Sequence, residues 1–384
     1  MSAPRLFFWV QHLLGIGHLR RAAALARAVA EDGFAVTIAT GGPAVPEIDP
    51  GPVALVQLPA ARATDSSFAT IVDESGNRLD EAWWDIRRTA LQQAFERARP
   101  DIVLIELYPF GRRAFRTELR PLIEACERAR PRIPVAVSLR DILVDKGRAD
   151  RVAETVEIVR AHVDRVLVHG DPRLLRLDET FPAAPEIASK ISYTGYVVNR
   201  APPRGTPTGE VLVSAGGGVV GRGLLVCALK TRPLTRLAAA PWRLVTGPQL
   251  PETDFVAIRT QAAGMANVAV DRYRPDFQAL LAGCRLSVSQ AGYNTLMEIL
   301  AAGTRAVVVP FAEAGETEQT GRARRLAERG LVGLVEAGNL APEPLAAAID
   351  AADARNPAQT PAIDLDGARK TALFLRQTLE RARK

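Results

Sequence analysis

A short turn near the amino terminus carries the first residues that could do chemistry. Gly15-Ile16-Gly17-His18 follows an apolar segment and precedes a helical pattern, which places His18 at a helix N-terminus. An imidazole there can donate or accept a proton near neutral pH. The third glycine of a dinucleotide fingerprint is missing, because Arg20 stands in its place, and the ending of a P-loop is missing too. A helix-capping or packing role for His18 is the structural alternative.

A second candidate, Glu106, ends the apolar segment Asp-Ile-Val-Leu-Ile-Glu. Such a segment is typical of a buried parallel strand, and ligands bind at the carboxyl ends of these strands. We therefore consider Glu106 as a general base and Arg112, in the following loop, as a contact for an anionic acceptor. An ion pair that fixes the loop is the alternative. Arg140 and Asp141 follow the next predicted strand and are also expected to bind the acceptor, with Asp141 a second candidate base. A structural role for Arg140 and Asp141 is the alternative.

A third group of polar residues lies in the second half of the chain. A predicted strand ends at Val288, a polar turn covers 289–292, and a helix is expected to begin near Asn294 or Thr295, either of which is a good N-cap. The N–H groups and the dipole of that helix would attract phosphate. A carboxylate in its first turns, Glu298, would repel phosphate, so we expect Glu298 to bind hydroxyl groups instead.

Two further loops in this half have suitable chemistry. Ser214-Ala215-Gly216-Gly217-Gly218 follows a predicted strand, and its glycines would let backbone N–H groups approach an anion closely. A purely structural turn is the alternative. Gln319 follows the strand predicted over 305–310 and carries a donor and an acceptor on one amide.

The segment from Tyr273 to Arg325 resembles the donor-binding region of GT-B-fold, MurG-like glycosyltransferases, which use nucleotide sugars. The resemblance implies that Glu298 binds the ribose, that Gln319 contacts the donor sugar, and that Tyr273 with its neighbour Arg274 receives the base. The family usually has two adjacent glutamines in the later loop, where this chain has Glu318-Gln319.

The turn around His18 resembles the same glycosyltransferases and also the related nucleotide-sugar hydrolases, in which a histidine at this spacing is catalytic. His18 and Arg21 match the hydrolase spacing. The residues expected to bind the donor are Gly15, Gly17, Ser214, Gly216, Gly217, Gly218, Tyr273, Arg274, Ser289, Gln290, Gly292, Asn294, Thr295, Glu298, Glu318 and Gln319. The residues expected to be catalytic are His18 and Glu106.

Composition narrows the class of protein. The chain has 384 residues, 47% of them hydrophobic, which is typical of two globular domains and not of a disordered chain. No apolar run approaches the ~20 residues that span a bilayer. The net charge is +6, but arginines are scattered and aromatic residues make up 5%, so nucleic acid is not an expected partner. Contact with an anionic membrane face stays open. The three cysteines lack metal spacing.

The expected fold is α/β, with two Rossmann-like, doubly wound domains that face a central cleft, as in GT-B proteins. We expect an acceptor-side domain over 1–199, a donor-binding domain over 200–367, and a last helix, 368–384, that packs back on the first domain. Residues 64–77 are expected to form a mobile loop suited to acceptor binding.

The expected activity is metal-independent transfer of a hexosyl group from a nucleotide-diphosphate sugar, UDP-linked, to an acceptor hydroxyl. The acceptor is a sugar, a lipid-linked or a small molecule, and cell-envelope synthesis is the expected context. A nucleotide-sugar hydrolase and a non-catalytic nucleotide-sugar-binding protein are the alternatives. We expect no cofactor and no metal, since the Asp364-x-Asp366 pair lies away from any predicted strand. The expected location is cytoplasmic, with peripheral contact at the inner face of the membrane as an option.

Overall fold

Two large parallel β-sheets organise the chain, one in each of two compact units. Unit 1 comprises Met1–Val197 with Asp364–Lys384, and unit 2 comprises Val198–Ile363. The computed structural model describes residues 3–46, 48–65, 70–143, 149–198, 207–217, 221–311, 318–355 and 362–383. The expected α/β class with two parallel sheets is confirmed. The limits at 199/200 and 367/368 stay predictions of the functional domains.

The helices and strands alternate along most of the chain, as expected of parallel α/β units. The strands of the described residues are β1 Arg5–Val10, β2 Ala35–Thr40, β3 Ala54–Gln57, β4 Ala61–Ala63, β5 Ile71–Asp73, β6 Ile102–Glu106, β7 Val135–Arg140, β8 Arg165–His169, β9 Ile191–Tyr193, β10 Val211–Ser214, β11 Trp242–Val245, β12 Val268–Asp271, β13 Leu286–Gln290, β14 Ala306–Val309 and β15 Gly333–Leu334. The α-helices are α1 Gly17–Glu31, α2 Glu81–Ala98, α3 Arg116–Arg128, α4 Ala149–His162, α5 Arg222–Thr231, α6 Glu252–Ala262, α7 Phe277–Gly283, α8 Tyr293–Ala302, α9 Glu318–Glu328, α10 Pro342–Asp353 and α11 Gly367–Ala382.

Strand order decides which loops come together. In unit 1 the sheet runs β3-β2-β1-β6-β7-β8-β9, and in unit 2 it runs β12-β11-β10-β13-β14-β15. All neighbouring strands within these two sheets are parallel. The residues of β6 are all buried, which is why this strand reads as a continuous apolar run. The carboxyl ends of β1, β6, β7 and β8 therefore share one edge of unit 1, and those of β10, β11, β13 and β14 share one edge of unit 2.

Helix α11 belongs to unit 1, although it follows unit 2 in the sequence. Its Ala372 and Leu375 are buried in the same apolar cluster as Leu25 of α1. Arg376 Nη2 also donates to Asp32 Oδ2 at 2.7 Å. Asp364, the first aspartate of the Asp-x-Asp pattern, forms an ion pair with a lysine of α11. This ion pair helps to hold the helix on unit 1.

A buried ion pair links two loops at the carboxyl edge of the unit 1 sheet. Arg87 of α2 and Glu118 of α3 are fully buried, with Nε and Oε2 2.6 Å apart. The same guanidinium donates to Gln11 Oε1 at 2.7 Å and to the carbonyl of Gly41 at 3.0 Å. The pair therefore links the segments that follow β1 and β2. Removing one partner of such a pair costs about 3–5 kcal/mol.

Two sequence-based expectations about local structure are wrong. The loop expected over 64–77 contains strand β5, which pairs with β4 in an antiparallel hairpin, while residues 66–69 lie outside the described residues. Helix α8 begins at Tyr293 and not at Asn294 or Thr295. Gly292 precedes it in an extended conformation and accepts the Leu296 N–H at 3.0 Å, so neither polar side chain caps the helix.

Candidate functional site

The first candidate site lies at the carboxyl edge of the unit 1 sheet. Glu106 ends β6, Arg140 ends β7 and His169 ends β8. Helix α1 begins directly after the turn at residues 15–16 and brings His18 into its first turn, with Arg21 one turn later on the same face. Parallel strand order thus collects residues that are far apart in the sequence.

Glu106 binds two groups from α1 through one oxygen. The His18 Nδ1 atom lies in hydrogen-bonding contact with Glu106 Oε1, and Arg21 Nη2 donates to the same oxygen at 2.7 Å. The Glu106 side chain is 1% exposed and that of His18 is 16% exposed. The two residues expected to be catalytic therefore come together. The second oxygen, Oε2, is buried and has no hydrogen-bond partner within the described residues.

The charges around this contact decide its protonation state. Burial raises the pKa of Glu106, but the hydrogen bond from His18 and the cations of Arg21 and Arg112 outweigh burial and hold that pKa well below its ordinary value. Burial lowers the pKa of His18, the cations of Arg140 and Arg112 lower it further, and Glu106 opposes them without prevailing. Near neutral pH the pair is therefore a carboxylate and a neutral imidazole. The imidazole donates through Nδ1–H, which leaves the lone pair on Nε2.

Arg112 lies in the loop that follows β6, as expected from the sequence. Its backbone is left-handed, with φ +58, and its Nε donates to the carbonyl of Gln11 at 2.8 Å. Burial lowers the pKa of Arg112 to about 10, and the nearby cations of Arg140 and Arg21 act in the same direction. Arg112 therefore joins the cationic surroundings of Glu106.

Two strand-end residues have contacts that are structural. Asp141 is 1% exposed. It accepts hydrogen bonds from Ile142 N at 3.0 Å and from the Tyr196 hydroxyl at 3.1 Å. His169 is fully buried, and both its ring nitrogens contact hydroxyl groups, those of Ser138 at 2.8 Å and Thr194 at 2.9 Å. The role of Asp141 in acceptor binding stays a prediction.

Sequence reasoning did not single out His12. This residue follows β1 by two positions, is 3% exposed, and packs against Gly42, where an added Cβ would lie 2.3 Å from the ring. Burial lowers the pKa of His12, the Arg112 cation lowers it further, and the Glu106 carboxylate raises it without prevailing. Its Nδ1 atom has no hydrogen-bond partner in the described part of the chain. Its position after a buried strand, like that of Glu106, was the available signal.

The second candidate site lies at the carboxyl edge of the unit 2 sheet. The turn over 289–292 leads directly into α8, whose N-cap residue, Gly292, has no side chain that could cap the helix. Ser289 is fully buried, and its hydroxyl has no hydrogen-bond partner among the residues described. Gln290 ends β13, while Asn294 and Thr295 are half-buried in the first turn of α8. The structure thus places these four polar residues in one turn and one helix N-terminus.

The glycine loop after β10 has the strained backbone that glycine permits. Gly216 has φ +62, and its N–H donates to Ser214 Oγ at 3.3 Å. Gly217 is exposed, and Gly218 lies outside the described residues. Thr246 directly follows the neighbouring strand β11. Its hydroxyl is fully buried and has no hydrogen-bond partner in the described ranges. Sequence reasoning missed Thr246, for which only its place after a strand was a signal.

The residues expected to bind the nucleoside differ in their surroundings. Glu298 is half-buried, and Gln278 Nε2 donates to its Oε1 at 3.4 Å. Tyr273 is 58% exposed, as a ring that stacks on a base would need to be. Arg274 Nη2 donates to Asp276 Oδ2 at 2.7 Å, so its guanidinium is already held.

Glu318 and Gln319 open α9 after the β14 loop. Glu318 is 6% exposed and pairs with Arg322, whose Nη2 lies 2.9 Å from Oε1. Gln319 Oε1 accepts the Phe311 N–H at 3.2 Å. Within the described residues, no group of three or more His, Cys, Asp or Glu side chains could hold a metal. In the same residues no helix is long and apolar enough to cross a membrane.

The architecture matches GT-B glycosyltransferases of known structure. Acinetobacter baumannii MurG has a TM-score of 0.59 and 17% identity, covering 99% of this chain and 98% of its own. Phytolacca americana UGT2, solved with UDP-2fluoro-glucose and pterostilbene, has a TM-score of 0.60 and 15% identity, covering 99% and 95% of the two chains. The fold is therefore the GT-B fold, which by itself does not define an activity.

Sequence similarity lies in the second half of the chain. Residues 216–372 match the glycosyltransferase family 28 C-terminal domain. The UDP-N-acetylglucosamine--N-acetylmuramyl-(pentapeptide) pyrophosphoryl-undecaprenol N-acetylglucosamine transferase of Thiobacillus denitrificans is 39% identical over 95 residues, 24% of this chain and 26% of that protein. Its counterpart in Syntrophotalea carbinolica is 36% identical over 87 residues, 23% and 24% of the two chains. The chain thus matches about a quarter of the length of these relatives.

The fold and the sequence similarity agree with each other. The GT-B fold of the chain and the family 28 match over residues 216–372 agree with the resemblance to MurG-like glycosyltransferases that the motifs indicate. The region that matches the family 28 C-terminal domain begins at the glycine loop after β10 and extends into α11.

Proposed function

We propose that this protein transfers a hexosyl group from a nucleoside-diphosphate sugar, with UDP as the nucleotide, to an acceptor hydroxyl. The observation that carries the proposal is the contact between His18 Nδ1 and Glu106 Oε1 in unit 1. A neutral imidazole that donates to a buried carboxylate has its second nitrogen ready to accept a proton. The family 28 match over residues 216–372 supports a nucleotide-sugar donor.

In the proposed reaction His18 acts as the general base. Its Nε2 takes the proton of the acceptor hydroxyl while the acceptor oxygen bonds to the anomeric carbon of the donor sugar. The bond between that carbon and the diphosphate oxygen breaks, and the nucleoside diphosphate leaves with the bonding electrons. The Glu106 carboxylate stabilises the imidazolium that forms, and Arg21 holds the carboxylate in place through the 2.7 Å hydrogen bond.

Unit 2 is the proposed donor-binding part. The N-terminus of α8, which begins after Gly292, and the loop at Gly216 and Gly217 are suited to the diphosphate, whose leaving charge they would stabilise. Glu298 would bind the ribose hydroxyls and exposed Tyr273 the base. The buried hydroxyl groups of Ser289 and Thr246 would supply further hydrogen bonds to phosphate oxygens.

The proposed acceptor is lipid-linked and carries an anionic group. The matched relatives are named for a pyrophosphoryl-undecaprenol acceptor, and here Arg112 and Arg140 surround the His18–Glu106 contact with positive charge. A guanidinium is well suited to bind a phosphate. The net charge of +6 supports a peripheral position on an anionic, cytoplasmic membrane face.

Release of nucleotide from a panel of nucleotide sugars tests the proposal. We expect UDP release that depends on a polyprenyl-diphosphate-linked sugar, that persists with a chelator, and that falls about 10²–10⁴-fold in His18→Ala. His162→Ala is the matched control, because His162 forms a half-exposed surface pair with Glu127. Fast acceptor-independent release would indicate a hydrolase instead, and full activity of His18→Ala would remove His18 from the mechanism.

A further inference from the structure

Glu318 and Gln319 are adjacent, but their side chains have different partners. The Glu318 carboxylate is buried and accepts from Arg322 Nη2 at 2.9 Å, one turn later in α9. The Gln319 amide oxygen accepts from the backbone N–H of Phe311, which follows β14, at 3.2 Å. Glu318 is therefore held within the protein fold, and Gln319 retains an amide NH₂ group as its donor.

Arg322 connects this helix to the neighbouring one. Its side chain is 1% exposed, and its guanidinium carbon lies 5.0 Å from the centre of the Tyr293 ring. Tyr293 is the first residue of α8, and Glu318 is the first residue of α9. A single buried cation thus contacts the first turns of both helices, through a ring face on one side and a carboxylate on the other.

We infer that Arg322 is a positioning residue that orients Gln319 for recognition of the donor sugar. It holds the first turn of α9 beside that of α8, so that Gln319 Oε1 stays on the Phe311 N–H. The Nε2 amino group is then the hydrogen-bonding group that Gln319 presents, and it selects a hydroxyl or carbonyl oxygen on the sugar. This inference rests on the proposed function, because it assumes that the donor sugar reaches Gln319.

Stability alone is a weak explanation for the pair. Burying an arginine and a carboxylate costs desolvation free energy that their attraction only partly offsets, and apolar residues of similar volume often stabilise a fold as well or better. Arg324, on the same helix, is exposed and pairs with Glu336, which lies beyond the end of the helix; this is the ordinary arrangement of an arginine ion pair. A buried Arg322 that touches two helix starts therefore fits a role in geometry.

Hydrogen exchange at Phe311 tests the positioning without any ligand. Gln319→Ala removes the acceptor of the Phe311 N–H, and Arg322→Met removes the cation with little change in volume. Both should speed exchange of the Phe311 amide about fivefold, the worth of one hydrogen bond. Arg324→Met is the matched control and should leave this amide unchanged. Unchanged exchange in a folded Arg322→Met protein overturns the positioning role.

Calorimetry with UDP and UDP-N-acetylglucosamine then separates the two proposals. Arg322→Met and Gln319→Ala should weaken binding of the nucleotide sugar about 3- to 10-fold and leave UDP affinity unchanged, since only the sugar contact is lost. Equal loss for both ligands would mean that Arg322 only supports the fold, which overturns the inference. Wild-type protein that binds neither ligand would overturn the proposed function, while the exchange result would still decide whether Arg322 positions Gln319.

Arg322→Lys covers the case in which Arg322→Met does not fold. A lysine keeps a positive charge for Glu318 but lacks the planar group that lies against the Tyr293 ring. We expect an intermediate exchange rate at Phe311 and an intermediate loss of sugar selectivity. Wild-type values for both measurements in Arg322→Lys would show that charge alone suffices, and would overturn the stacking part of the inference.

Discussion

His18 and Glu106 are 88 positions apart in the sequence, and their side chains meet through Nδ1 and Oε1 at the edge of one sheet. The contact arises because α1 follows β1 directly and β6 lies beside β1. The adjacent Arg21 binds the same carboxylate oxygen, so the tautomer of His18 and the charge of Glu106 are set together.

Replacing Glu106 by glutamine should reduce kcat about 10²–10⁴-fold, because the imidazolium formed in the reaction loses its negative partner. Steady-state kinetics with the donor identified in the panel would measure this change. Glu127→Gln is the control, since Glu127 pairs with His162 on the surface. Activity within a few-fold of wild type in a folded Glu106→Gln protein would show that the carboxylate has no part in proton transfer.

Replacing Arg112 by glutamine should move the acidic limb of the kcat/KM profile to higher pH. The Arg112 cation lowers the pKa of His18, so its removal raises that pKa and protonates the base at less acidic pH. The pH dependence of kcat/KM measures the shift directly. Arg113→Gln is the control, because Arg113 pairs with Glu154. An acidic limb that does not move, or moves to lower pH, would contradict the assignment of His18 as the base.

Replacing Glu298 by alanine should weaken nucleotide binding by roughly 1.5–3 kcal/mol, the value of a hydrogen bond to a charged group. Titration calorimetry with UDP would measure the loss, and a 2′,3′-dideoxy nucleotide should show much less of it. Exposed Glu343, in the first turn of α10, provides the control variant. Unchanged UDP affinity in Glu298→Ala would exclude a contact with the ribose.

The free energy of unfolding should fall as the pH drops below about 6.5, in part because of His169. Burial lowers the pKa of His169 to about 3. Between these two values the unfolded chain binds a proton that the folded chain does not, so stability decreases by up to about 1.4 kcal/mol per pH unit. Urea unfolding at several pH values, compared with His169→Asn, measures this slope. An equal slope in the variant would show that His169 does not contribute.

Strand patterns predicted much of the fold and part of the site. The buried strand that ends at Glu106 and the turn before His18 could be predicted from the sequence, because both patterns depend on neighbouring residues. The strand order then brings both to one edge. Which arginine binds Glu106 could not be predicted from the sequence. Tertiary packing selects Arg21 from side chains with the same chemistry, which are Arg20, Arg21, Arg112 and Arg140.

The helix starts of unit 2 show where local patterns fail. Asn294 and Thr295 are good N-caps by residue type, but the extended backbone at Gly292 begins α8 earlier. The expectation that Glu318 contacts the donor rested on its position beside Gln319. Its burial against Arg322 depends on how α9 packs near Tyr293, and no local pattern reports that packing.

Helix α11 completes the core of unit 1 from the far end of the polypeptide. During synthesis, a ribosome must therefore produce all of unit 2 before Leu375 can reach Leu25. Until then the nascent first unit would carry an open apolar surface, which is a natural target for chaperones. Unit 1 therefore cannot finish folding until unit 2 has been synthesised.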